Sequence, residues 1–165
     1  MGKTNAQLLG NLSDTAGMLQ DLHNHYQLGK RKLKHFGIDC VGDKLGKFQH
    51  ECHSHINKVI RRAMFLGDED FTYKVSPSIK SPDSLTPILE DLLTKETELV
   101  EAMQGYLAQA MDVKDDNTRN LYEHLIKWHE DEWRGSSGKA PIDYLEQKLA
   151  QIKSVGEKEF ILTKI

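Results

Sequence analysis

Six side chains with metal-ligand chemistry fall near the middle of four long amphipathic segments: His23, then Cys52 with His55, then Glu96, then His129 with Glu132. Soluble helices keep such groups off their apolar face unless something pairs with them. Glu96 is the clearest case. It is centred on Leu89, Leu92, Leu93, Leu99, Val100 and Met103, where an unpaired carboxylate would cost several kcal/mol and so demands a cation or a donor. Four helices that each aim a ligand inward make the layout of a metal site inside a helix bundle. With three histidines, one cysteine and two carboxylates, the set leans toward zinc, another borderline divalent metal, or a single iron. The alternative is that these groups satisfy one another, together with Tyr26, through hydrogen bonds. Cys52 then serves as a small core residue.

The elements that must position them read clearly from the helical period. The first helix is expected from about Asn5 to His35, with a stripe of Leu8, Leu12, Ala16, Leu19, His23, Tyr26 and Leu33, and Gly37 stops it. The second runs from about Val41 to Leu66 and turns Leu45, Phe48, Cys52, Ile56, Val59, Ile60 and Ala63 inward. Residues 68–82, DEDFTYKVSPSIKSP, have turn residues and no helical period. A connection this long predicts a crossover rather than a tight hairpin. Ser84 is placed to cap the third helix, and Asp115, Asp116 and Asn117 mark the next turn. The fourth helix is expected from about Thr118 to Trp133, until RGSSGKAP breaks it, and a further helix from Pro141 to about Val155. The tail EKEFILTKI suits a short last helix. Two helical hairpins joined by one long crossover define an all-α, ferritin-like four-helix bundle. A bundle over about 5–155 and a short helix over about 156–165 form one domain.

Composition narrows the function classes. The net charge is −3, with no basic arm, so nothing marks a nucleic-acid partner. Two cysteines, Cys40 and Cys52, make no disulfide framework. No apolar run approaches the roughly 18 residues of a membrane span, and MGKTNAQLLGN lacks the apolar core of a signal peptide. The expected location is cytoplasmic, with no membrane partner.

Several stretches now point to a family. The tail IDYLEQKLAQIKSVGEKEFILTKI, the segment INKVIRRAMFLGDED, LLGNL near the start, Asn24 with Tyr26, and TRNLYEHLI occur in an order and spacing that resemble the bacterioferritins over nearly the whole chain. The resemblance implies iron storage in hollow 24-subunit cages, a diiron ferroxidase centre in each subunit, and heme held between paired subunits by a methionine of the second helix. A homo-oligomer, either a dimer or a cage, is the expected assembly.

The chain departs from that pattern at the centre. The resemblance calls for Glu on the first helix, Glu-x-x-His on the second, Glu on the third and Glu-x-x-His on the fourth. Here Leu19 stands at the first position, and His23 lies one turn later. Cys52 replaces the second-helix Glu before His55; the adjacent Glu51 is rotated about 100° from it. Glu96 matches, and the fourth-helix pair is reversed as His129-x-x-Glu132. Read backwards from IDYLE, that pair would fall instead on Gly138 and Pro141, so the chain carries an insertion here. The forward register keeps His129 and Glu132 inward on one helix. At the heme position stands His53, a sound axial ligand for heme iron. His25 and His50 read as solvent-facing.

The expected function is therefore a divergent bacterioferritin-type subunit that handles iron. Its ferroxidase centre is remodelled or lost, and one form of this is a non-catalytic subunit co-assembling with a catalytic one. Two other readings stay open: a heme or electron-transfer dimer using His53, and an oxidoreductase with a mixed His/Cys/Glu metal site.

Overall fold

The computed structural model describes residues 2–130 and 140–164. Among the described residues the secondary structure is all helical: α1 Gly2–His35, α2 Asp39–Phe65, α3 Leu85–Asp112, α4 Asp116–Glu130, α5 Pro141–Val155 and α6 Glu157–Lys164. The all-α expectation holds. Helices α1 and α2 form one antiparallel hairpin and α3 and α4 the other, with α1 against α3 closing the bundle. Gly37 and Gly67 end the first two helices at φ 81° and 97°, a backbone region that side chains other than glycine rarely adopt.

The crossover between α2 and α3 is strapped along α1. Asp21 accepts from the backbone N–H and the hydroxyl of Ser76, both at 2.9 Å, and Ser13 donates to the Thr72 carbonyl at 2.8 Å. The approach is close: a Cβ on Gly17 would lie 2.5 Å from the Lys74 carbonyl oxygen. Lys32 then ties the end of the crossover by bonding Asp83 at 2.7 Å. Ser84 sits at the N-cap of α3 in extended geometry, yet its hydroxyl makes no cap bond. Only its carbonyl is used, accepting from Ile88 N–H at 3.1 Å.

The fourth rod of the bundle is built from two helices. Both α4 and α5 pack on α3. A cavity of about 420 Å³ places Glu130 and Ile142 at the level of Val100 and Gln104. Further along, Thr86 at the start of α3 donates to Glu157 at 2.6 Å. The path therefore runs antiparallel to α3 through α4 and then α5, so α5 extends the fourth rod past the insertion. Pro141 occupies the first turn of α5, where a missing N–H costs nothing. Gly156, at φ 86°, separates α5 from α6, and Phe160 of α6 is buried in the main core.

Candidate functional site: a buried tyrosine–carboxylate–histidine chain

At mid-bundle the apolar stripes of α1, α2, α3 and α4 each contribute one polar group to a single hydrogen-bonded chain. The Tyr26 hydroxyl of α1 donates to Glu96 Oε1 of α3. Glu96 Oε2 accepts from His129 Nδ1 of α4 at 2.7 Å, and His129 Nε2 lies 3.2 Å from His55 Nδ1 of α2. All four residues are buried. The carboxylate at the centre thus receives two donors on two different oxygens, which offsets its desolvation.

The proton inventory of this chain is tightly constrained. A carboxylate can only accept, so His129 Nδ1 carries a proton. In neutral His129 the Nε2 atom is then a lone pair, and His55 Nδ1 must be the donor between the two rings. Trp128 packs edge-on to both imidazoles, 4.7 Å from His55 and 4.8 Å from His129 between ring centres. This apolar wall holds both rings in place. Burial, with His129 next, lowers the pKa of His55 to about 2, so that ring is neutral near pH 7. The same burial, reinforced by Glu96, pushes the Tyr26 hydroxyl and the Cys52 thiol well up. Cys52 is fully buried in the same core and carries its proton as a thiol.

The structure brings Glu96, His129, His55 and Cys52 into one region of the core. It places His23 differently. The buried register on α1 is Leu19, Leu22 and Tyr26. His23 is half-buried at its edge, with Nδ1 3.1 Å from Asn24 Oδ1 and its ring 6.2 Å from that of His53. His53 is exposed on α2. Glu132 lies outside the described residues. Among the described residues, no group of three or more His, Cys, Asp or Glu converges in an arrangement that holds a metal ion.

Two residues, Glu51 and His25, stand elsewhere than the sequence suggests, and Trp128 has a role the sequence does not signal. Glu51, set aside as pointing away, is half-buried and brings Oε2 to 4.0 Å from His55 Nε2. A four-residue spacing on a helix makes that reach possible, and this was the available signal. His25 is buried rather than solvent-facing, with its Nδ1 2.7 Å from the Asp21 carbonyl. Its reassignment follows from the width of the α1 stripe, since α1 is covered by both α2 and α3. Trp128, which carried no signal as a ligand, forms the wall behind both histidines. His50 is exposed, as expected.

Residues 9–135 match the ferritin-like domain family. The chain belongs to that family. No curated protein matches the chain. Ferritin-like proteins generally bind iron and commonly form oligomers, so a general iron-handling role follows for this ferritin-like chain. No helix of the described residues is long and apolar enough to cross a membrane.

A ferritin-like bundle places its metal ligands at mid-height on facing helices, which is where the Tyr26–Glu96–His129–His55 chain lies. The residues present fit one ion better than two. The two nitrogens 3.2 Å apart match the separation spanned by an ion with Zn–N-type bonds of about 2.1 Å. Glu96 holding Nδ1 of His129 is the carboxylate–histidine arrangement that presents the other nitrogen to a metal. A two-iron centre needs bridging carboxylates, and Glu96 is the one carboxylate buried in this region among the described residues.

Proposed function

We propose that this chain is an iron-handling subunit of the bacterioferritin type whose centre is remodelled from two irons to a single ion held by His55 and His129. The observation that carries this reading is the orientation of His129. Its Nδ1–H is committed to Glu96 at 2.7 Å, which turns its Nε2 lone pair toward His55. An ion binds by replacing the proton shared by the two rings. Cys52 is the further donor in the same core, and Glu132 is a further donor on sequence spacing alone. Glu96 acts as the positioning group for His129. Iron is the cargo in this reading, and the loss of bridging carboxylates removes fast paired oxidation of iron. The subunit assembles with copies of itself, as a dimer or a cage, or alongside a catalytic bacterioferritin subunit that supplies the ferroxidase step.

The test is iron(II) added in air to the metal-free protein, followed by absorbance. Slow oxidation, close to that of buffer, is expected from the chain alone. Adding a catalytic bacterioferritin subunit should restore fast oxidation in a shared assembly. Rapid oxidation of about two irons per chain by this protein alone would overturn the reading.

A further inference from the structure

The solvent side of the core pair carries three side chains that the hydrogen-bonded chain does not use. On α2, Glu51, His55 and Lys58 follow one another at spacings of four and three, so they share one helix face. On α4, His124 and Trp128 are four apart and also share a face. The His55 ring meets both, with its centre 4.7 Å from that of Trp128 and 6.1 Å from that of His124. The His55 side chain is 1% exposed, but that of Glu51 is 42% exposed and brings Oε2 to 4.0 Å from His55 Nε2. Lys58 and His124 are both exposed. The groove between α2 and α4 thus leads from solvent to His55 past a carboxylate, an imidazole and an ammonium.

The imidazole and the ammonium are joined. Lys58 Nζ lies 3.0 Å from His124 Nε2. An ammonium can only donate, so the imidazole lone pair is the acceptor in this bond and is capped by it. Burial first, and Lys58 next, hold the His124 pKa below the ordinary histidine range, so the ring is neutral near pH 7. A neutral imidazole is a metal ligand, but here the nitrogen that would bind is taken by Lys58. The same ammonium is felt in the core. After burial and His129, it is the next influence that disfavours positive charge on His55. A charge that repels a proton from that ring also repels a metal cation. Glu51 has the opposite sign and, at His124, the opposite effect.

We infer that Glu51, His124 and Lys58 form a gated port through which a divalent cation reaches the His55–His129 pair. Glu51 draws the cation into the groove. Lys58 caps His124, the ligand the ion would meet on its way, and sets its own charge against entry. Opening asks only that an exposed lysine swing away from one surface contact, which costs little. The port presupposes the single-ion core proposed above and adds the step that limits how fast the ion arrives. Charges lining a groove change association rates by about tenfold or more.

The experiment is stopped-flow mixing of the metal-free full chain with cobalt(II) chloride, followed by the visible absorption that changes as imidazole binds the ion. Circular dichroism verifies that each variant is folded. Lys58→Met removes the charge and the donor at similar length, and should raise the association rate about tenfold. Lys58→Arg, which keeps both, should restore the slow rate. Glu51→Gln should lower the rate about tenfold. Adding His124→Ala to Lys58→Met should take back most of the gain, since the uncapped ligand is gone. At equilibrium about one cobalt per chain is expected, lost in His55→Ala. Unchanged rates in Lys58→Met and Glu51→Gln, with that His55-dependent ion still bound, would overturn the port and leave the single-ion core standing. Absence of any His55-dependent cobalt in the wild type would overturn the single-ion core, and the port with it.

Discussion

Two polar clusters hold this bundle together, and they are built on opposite principles. At one end, Arg62 of α2 donates Nε to Thr118 at 2.9 Å and grips Asp115 with Nη2 at 2.9 and 3.1 Å. Asp115 in turn accepts from the backbone N–H of Thr118 at 3.0 Å and so caps α4. Every proton there has one possible owner, because a guanidinium always donates and a carboxylate always accepts. At mid-height, the proton between His55 and His129 is carried by an imidazole nitrogen, which binds either a proton or a metal ion. The first cluster fixes where two helices meet. The second keeps a proton that an ion can displace. A buried polar group therefore marks a candidate site when its proton is exchangeable, and a structural joint when it is not.

Removing Glu96 should separate the clusters most sharply. Glu96→Ala strands the Tyr26 hydroxyl and the His129 Nδ1–H in an apolar core, and is expected to cost about 3–5 kcal/mol in denaturant unfolding. Glu96→Gln should be far milder for folding. Its amide can donate to His129 Nδ1, but this forces the proton onto Nε2 and removes the lone pair that faces His55. The expected outcome is a folded protein with metal affinity lowered roughly 10–100-fold, read by calorimetry. Equal metal affinity in this variant would mean that the tautomer is not what Glu96 controls.

Acid should act on the two clusters in different pH windows. His55 has a folded pKa of about 2 against an ordinary value of 6.5. Between those values the unfolded chain binds the extra proton, so stability of the metal-free protein falls as pH drops below about 6.5. The slope is at most about 1.4 kcal/mol per pH unit. For Asp115, burial pushes the carboxyl up, but the Thr118 N–H and Arg62 outweigh it and hold it below the usual range. Its contribution is present above pH 4 and is lost only as pH falls through the lowered folded value. Thermal melts from pH 7 to 4 should therefore show a decline that His55→Phe reduces and Asp115→Asn does not; the part that remains comes from His124, which burial and then Lys58 also hold below the ordinary histidine range.

Smaller effects come from single contacts. Arg62→Ala should cost about 2 kcal/mol by leaving Asp115 without its bidentate partner. It should leave metal binding unchanged, since the cap lies outside the core chain. Tyr26→Phe, which deletes one of the two donors to Glu96, is expected to cost about 1 kcal/mol. A stability loss for Tyr26→Phe larger than for Arg62→Ala would reverse this ranking of the two clusters.

Much of this was legible in the chain. The leucine stripes, Gly37 and Gly67 as stops, and a 15-residue aperiodic connection give the two hairpins and the crossover. Glu96 among Leu92, Leu99 and Met103 announces a buried carboxylate whose partner must exist. What could not be read is height and reach. A helical period assigns a face but not an axial level. It therefore could not tell that His129 meets Glu96 and His55 while His23 turns to Asn24 and His53. The length of a glutamate side chain brings Glu51 to the rim although its Cα faces elsewhere. The insertion after α4 hid the fact that α5 completes the fourth rod, because sequence gives no direction to a helix that resumes after a loop.

The most direct test of the central claim is an anaerobic iron(II) binding isotherm. It should be run on the metal-free protein and repeated with His55→Ala. About one iron per chain is expected, lost when His55 is removed. Two irons per chain binding together, or one that survives the loss of His55, would contradict it.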